Sequence, residues 1–386
     1  MNRESIIERF MELCRIPAAS GNERKTADYC TAVLKELGAD VREDCAAEKT
    51  GGNAGNVIGT FRGTDPTIPP VMLNAHMDTV FSGGPVIPIL DNGWIRSAGN
   101  TILGADNRTG IVMILEGMRR FLLSKQRAGD IEIVLTVGEE IGLVGAGHLD
   151  VEKIRSRYGF SLDSSGLGRL VKGAPFYQAI DVSIEGRSAH AAVNADQGIN
   201  SIDLMARSLS GLPFGQLDDE STANIGQIIG GSARNVIPDD CRVVMEVRSH
   251  SEAKVDAYCC RVRRSFQRVC GPVHVDVDGV IHRPNVVLTM TRECDGFFLS
   301  PDAATVQTAM TALQKIGRTV DLYRNMGGSD ANIFNARGIE TVVVGTGQRA
   351  VHSVDECIAV EDLIDGIRLV PELISAWTGW WSQKRT

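Results

Sequence analysis

The sequence predicts an α/β protein, a mixed and mostly parallel sheet between helices, interrupted by an inserted α+β unit. Three observations predict it. Residues 131–140 (IEIVLTVGEE) run through branched apolar side chains to Gly138 and two adjacent acids, Glu139 and Glu140. An apolar run without alternation reads as a strand covered on both faces, the interior of a parallel sheet. Strands and helical stripes of this kind fill both ends of the chain. From about residue 175 the order becomes strand, helix, strand, strand, helix, strand, a four-stranded β-α-β-β-α-β (ferredoxin-like) unit. The expected segments are therefore 1–174 and 286–386 for the α/β domain and 175–285 for the insert.

The elements follow in order. At the N-terminus, Ile6, Phe10 and Leu13 share one face of an amphipathic helix. Ser20 and Glu23 have the spacing of a capping box, and Ala27, Cys30, Leu34 and Leu37 continue as a helical stripe to Gly38. Residues 56–61 and 71–74 read as strands, the second running into His76-Met77-Asp78-Thr79. Residues 85–97 predict a hairpin turning at Asp91-Asn92-Gly93. After Gly104-Ala105-Asp106-Asn107 comes a helix with Ile111, Leu115, Met118 and Leu122 on one side. Residues 158–162 read as a strand ending at Asp163. In the insert, strands are expected over 177–185, 222–229, 241–249 and 273–280, with helices over 198–210 and 252–269. Helices over 302–316 and 360–377 and a strand over 340–344 complete the α/β domain.

Composition excludes several classes. The 386 residues are 43% hydrophobic and 23% charged, with a net charge of −8, so no basic footprint for nucleic acid or anionic membrane exists. No apolar run approaches the ~18 residues of a spanning helix, and the N-terminus does not read as a secretory signal. Nine scattered cysteines without a C-x-x-C pair point to free thiols in a reducing compartment, the cytoplasm by default.

In open α/β sheets, ligands collect beyond the carboxyl ends of the strands. Here those ends carry His76 and Asp78, Glu139 and Glu140, Asp163, and, after a loop, His352. Asp106 sits where a helix begins. Imidazoles mixed with carboxylates suit zinc, with manganese or cobalt as alternatives. Two divalent ions would be neutralised by Asp106, Glu140, Asp163 and a hydroxide, relieving the burial of so many acids. Taken singly, His76-x-Asp78 reads equally as a surface turn, Asp106 as a helix N-cap and His352 as a loop histidine. Their convergence at one sheet edge favours the metal site.

Seven ordered motifs then resemble the co-catalytic di-zinc aminoacylase/carboxypeptidase G/peptidase T family, most closely its peptidase T-like branch. They are Asn74 to Val80 (NAHMDTV), Gly104 to Asn107 (GADN), Gly138-Glu139-Glu140, Gly186 to His190 (GRSAH), Asn235 to Pro238 (NVIP), Gly327 to Asn332 (GGSDAN) and His352 to Glu356 (HSVDE). The resemblance implies a zinc-peptidase catalytic domain and a lid that joins a homodimer. It implies two zinc ions per subunit, one held by His76, Asp106 and Asp163, the other by Glu140, Asp106 and His352, with Asp106 bridging. Asp78 would orient His76. Glu139 would be the general base, taking a proton from the metal-bridging water and returning it to the departing amine. His190 in the lid would donate to the oxyanion, from its own subunit or across the dimer, and Asn235 and Arg248 would hold substrate. The 327–330 loop would line the cleft. Asp163 as third ligand leans toward substrates with a free amino terminus. Asn107 departs from the Asp usual after the bridging residue, leaving the metal set intact while altering local hydrogen bonding.

The leading expectation is thus a zinc-dependent, tripeptidase-like aminopeptidase acting on small peptides. Its alternatives are an amidohydrolase acting on N-acyl amino acids or related amides, and a non-catalytic metal-binding relative. A two-metal phosphoesterase would need more basic groups than Arg248 and Arg108.

Overall fold

The computed structural model describes residues 2–384. Its principal elements, in chain order, begin with α1 (Arg3–Arg15), α2 (Arg24–Glu36), β1 (Asp40–Glu43), β2 (Val57–Phe61), β3 (Val71–His76), β4 (Pro88–Asp91), β5 (Trp94–Ser97), α3 (Ala105–Ser124), β6 (Ile131–Thr136), β7 (Tyr158–Ser164) and β8 (Arg169–Val171). Then follow β9 (Phe176–Glu185), α4 (Ser201–Leu209), β10 (Gly215–Asp218), β11 (Ser221–Gly230), β12 (Asp240–Ser249), α5 (Glu252–Cys270) and β13 (Asn285–Cys294). The chain closes with α6 (Ala304–Lys315), β14 (Asp321–Tyr323), α7 (Asp330–Ala336), β15 (Glu340–Gly345), β16 (Cys357–Ala359) and α8 (Val360–Gln383).

Two compact units result. The first holds the residues up to Gly173, Phe298–Asn325 and those from Ser329 onward. Its eight-stranded sheet has the order β1-β2-β6-β3-β7-β15-β8-β14. β6, β3, β7 and β15 are mutually parallel, whereas β1 and β2 pair antiparallel with their neighbours and β8 runs antiparallel to β15 but parallel to β14. Every residue of β3 and of β6 is buried, as the unbroken apolar runs demand. The single acid within β6, Glu132, takes the backbone N–H groups of Arg155 and Ser156 and the Ser156 hydroxyl. α3 is apolar almost all round because it lies in the core; at Gly117 a Cβ would stand 2.5 Å from the Cβ of Val370 on α8. The β4–β5 hairpin turns through Asn92 and Gly93, both at positive φ, the geometry that an Asn-Gly pair favours.

The second unit comprises Ala174–Phe297 and Met326–Gly328. Its five-stranded antiparallel sheet runs β10-β11-β12-β9-β13, and alternation along β9 and β12 buries Ile180, Val182, Ile184, Val243, Met245 and Val247 with α4 and α5.

Several expectations are corrected. Residues 273–280 do not close this sheet: Val275–Val277 and Val280–His282 form a separate small hairpin, and the closing strand is β13. The insert therefore ends at Phe297 rather than at residue 285. No capping box forms at Ser20, whose hydroxyl bonds Asp78 instead, and α2 starts from Glu23. Leu122 is 37% exposed and lies outside the core face of α3.

Candidate active site

The parallel strands β3, β6, β7 and β15 end on one side of the sheet, and the acids and imidazoles gather there. His76 is the last residue of β3, and Asp163 is the last but one of β7. Glu139 and Glu140 lie just past β6, where Gly138 takes a positive φ beside the Val144 side chain. His352 follows β15 on a loop in which both Ala350 and His352 adopt positive φ, a backbone state unfavourable for residues with a Cβ. Asp106 stands at the start of α3, in non-helical backbone.

His76 Nε2 is 3.1 Å from Asp106 Oδ1 and 3.5 Å from Asp163 Oδ1. His352 Nε2 is 2.8 Å from Glu140 Oε1 and 3.4 Å from Asp106 Oδ2. The two oxygens of Asp106 thus face different histidines, the arrangement a bridging carboxylate requires. Ligand atoms of His76, Asp106 and Glu140 all lie within 4.8 Å of one another. Five side chains linked in this way, three acids and two imidazoles with Asp106 between them, fit a pair of divalent cations.

The electrostatics agree. Burial pulls the His76 imidazole down, yet the carboxylates of Asp163, Asp106 and Asp78 hold it well above its ordinary value. Asp106 and Glu140 push His352 up to about 10. Burial pushes Asp106 up, but His352 and His76 outweigh it and keep the carboxylate low. Burial raises Glu139 far above the usual carboxylate range, with Asp163, Asp330 and Glu140 adding to it; burial also raises Glu140 and Asp163. So many buried acids around two imidazoles make a site whose chemistry suits bound cations.

The comparisons with known proteins bear on this cluster. The model of peptidase family M20/M25/M40 matches residues 72–376. The chain belongs to peptidase family M20/M25/M40. Aminopeptidase PepT from Bacillus cereus is 34% identical, with a TM-score of 0.90 over 98% of this chain and 99% of that one. A tripeptidase from Staphylococcus aureus is 31% identical, with a TM-score of 0.91 over 98% and 99%. The Bacillus subtilis YXEP protein, a dinuclear metal-binding peptidase of family M20, shares the fold at 18% identity, with a TM-score of 0.72 over 98% of each chain.

In this M20 peptidase a further set of buried polar groups surrounds the candidate ligands. Asp78 is fully buried. Its carboxylate oxygens accept the backbone N–H groups of Glu139 (3.0 Å) and Glu140 (3.1 Å) and the Ser20 hydroxyl (2.6 Å), while His76 Nδ1 lies 3.1 Å from the Asp78 backbone carbonyl and 3.3 Å from Oδ1. One carboxylate therefore aims a histidine and fixes the peptide units of both acids. Glu23 accepts the Gly138 N–H at 3.1 Å. Asn107 donates to Leu162 O (2.8 Å) and Asp163 Oδ1 (3.2 Å), a contact an aspartate could not donate. Arg108, buried, donates to the carbonyls of Leu13, Met77 and Ile16. Asp330 is 1% exposed, bonds Thr136, and is pushed up to about 7 by burial.

The second unit carries the remaining expected residues. His190 is exposed, and its Nδ1 accepts the Ala192 N–H at 3.2 Å, so the ring hydrogen of the neutral form resides on Nε2. The backbone of Asn235 accepts from Ala191, and His190 pairs with Val236, which sets the two motif loops side by side. Arg248 stacks 4.1 Å over the Tyr177 ring, and its fork holds Glu246 through two 3.1 Å bonds. Of the 327–330 loop, Gly327 and Gly328 belong to this unit and Ser329 and Asp330 to the first.

Proposed function

We propose that the chain is a cytoplasmic di-zinc aminopeptidase that removes the first residue of small, tripeptide-sized substrates and works as a homodimer joined through the lid. The observation that carries this reading is the meeting of His76, Asp106, Asp163, Glu140 and His352 around facing donors, with Glu139 beside them. Kinship with PepT and the tripeptidase supports peptides over N-acyl amides. Nine free cysteines support a reducing compartment, and among the described residues no helix is long and apolar enough to cross a membrane.

His76, Asp106 and Asp163 would hold one ion, and Glu140, Asp106 and His352 the other. The metal pair, when bound, supplies Lewis acidity at the scissile carbonyl and eases ionisation of the attacking water. Glu139 accepts that water's proton and delivers it to the departing amine, from a half-buried side chain next to the metal-holding Glu140. His190 offers Nε2–H to the oxyanion as charge develops. Asn235 holds the substrate backbone. Arg248 takes the substrate carboxylate by exchange with Glu246, while Tyr177 keeps its guanidinium flat.

The test is a mixed pool of di- and tripeptides, free and N-acetylated, digested by zinc-loaded protein and read by mass spectrometry. Release of the first residue from free tripeptides is expected. Cleavage of the N-acetylated set alone overturns the aminopeptidase reading. Glu139→Gln should keep both metal equivalents and lower kcat more than ~10³-fold. Survival of activity in that variant removes Glu139 as the base.

A further inference from the structure

Glu356 lies four residues beyond His352 and is 1% exposed. Its Oε2 accepts the Gly104 N–H at 2.6 Å and its Oε1 the Asp106 N–H at 2.9 Å. Both donors open α3, where no side chain of the helix itself caps the end and where Asp106 departs from helical backbone. Such amides are orphans unless something outside the helix takes them. Here the acceptor comes from the loop that also delivers His352. One carboxylate therefore ties the backbone of the shared ligand Asp106 to the neighbourhood of His352.

The other ligands are held differently. His76 ends a buried strand and is aimed by Asp78; Asp163 is on β7 and receives Asn107; Glu140 has its N–H on Asp78. His352 has no such frame. Its side chain is 48% exposed, its φ is +62°, and that of Ala350 is +50°. The Arg349–Cys357 backbone pair closes the base of its loop, and Glu356 is the buried side chain that anchors it from within.

We propose that Glu356 is a positioning residue that holds Asp106 and His352 in register and thereby sets the affinity for the ion shared by Asp106, Glu140 and His352. This rests on the two-metal reading above. An amide at this place would keep one acceptor and turn an N–H donor toward the other backbone N–H, so Glu356→Gln preserves shape while breaking the tie.

The experiment titrates metal-free wild type, Glu356→Gln and Glu356→Asp with Co²⁺, followed by visible absorption and competition with a chromogenic chelator. Thermal unfolding of the metal-free forms is read alongside. Wild type should take two Co²⁺ per chain. Glu356→Gln should keep one binding step within about threefold of wild type and weaken the other about 10–100-fold, the size of effect typical of groups that orient ligands. Glu356→Asp, which keeps the charge but shortens the reach, should weaken that same step less, and it carries the test if the glutamine variant does not fold. Equal weakening of both steps, or a lowered unfolding temperature with both affinities unchanged, overturns the proposal and leaves Glu356 a purely structural residue. Failure of wild type to bind two ions overturns the two-metal reading itself.

Discussion

Arg108 offers the sharpest test of how the catalytic unit is held together. Its guanidinium is 2% exposed and donates at 3.3 Å to Leu13 O, 3.0 Å to Met77 O and 3.0 Å to Ile16 O. It thus closes the C-terminus of α1 and grips the peptide between His76 and Asp78. Arg108→Met keeps most of the volume and removes all three donors. Met77 is wholly buried, so its carbonyl loses a partner that water cannot replace, at ~1–3 kcal/mol, whereas the buried Leu13 carbonyl keeps the Ile16 N–H at 3.1 Å and loses less. Ile16 is only half-buried and its carbonyl reaches water more readily. Relief of the guanidinium's own desolvation returns part of the loss. The net expectation is about 2 kcal/mol of destabilisation. All four tryptophans, at 94, 377, 380 and 381, belong to the catalytic unit, so their fluorescence in urea reports that unit alone. With a slope of ~3 kcal/mol per molar, the unfolding midpoint of the metal-free protein should fall by about 0.7 M. Arg108→Lys keeps the charge but has no planar fork to span three carbonyls, and should fall between the two. An unchanged or higher midpoint for the methionine variant would refute the reasoning, because the buried charge would then be a burden rather than a clamp.

Other consequences follow from single contacts. Asp78→Asn points an amide N–H at one of two backbone N–H donors and should lower metal affinity or kcat about 10–100-fold, checked by metal content and turnover together. Gly117→Ala should cost about 1–3 kcal/mol, read as a lower urea midpoint, because the new methyl meets the Val370 Cβ at 2.5 Å. Asp65 is held down to about 2 by the Thr67 hydroxyl and N–H and by Arg127, from an ordinary value of 3.8. A depressed carboxylate stabilises the fold above its unfolded pKa and loses that contribution as pH falls through the folded one. Acid unfolding between pH 4 and 2 should therefore be flatter in Asp65→Asn than in wild type.

The strands that build the site were legible because burial on both faces leaves uninterrupted apolar runs, as in 71–76 and 131–136. The candidate cluster was legible because His76, Asp163, Glu139 and Glu140 stand at or just past the ends of buried strands, with Asp106 opening a helix and His352 on a loop. What stayed hidden was chemistry directed at backbone amides. Nothing in the spacing of Ser20, Glu23, Asp78 or Glu356 says which N–H groups they meet, since those donors are invisible in a sequence. Arg108 was equally opaque: an arginine on an apolar helix face reads as a surface cation until three carbonyls turn toward it. In the insert, the alternation of Val286, Leu288 and Met290 marks β13 as plainly as that of its neighbours. The preceding hairpin, turning at Asp278 and Gly279, supplied a fourth strand too early and concealed it.

The insert also bears on how the molecule is made. Its sheet is almost wholly contiguous in sequence, from β9 to β13, whereas β15, which lies between β7 and β8, comes from beyond it. During synthesis the inserted unit can fold while the first half of the chain still waits for its missing strand. Under the proposed assignment His352 is the last of the metal-holding residues to leave the ribosome, so a chain stalled before it lacks the second half of the proposed centre.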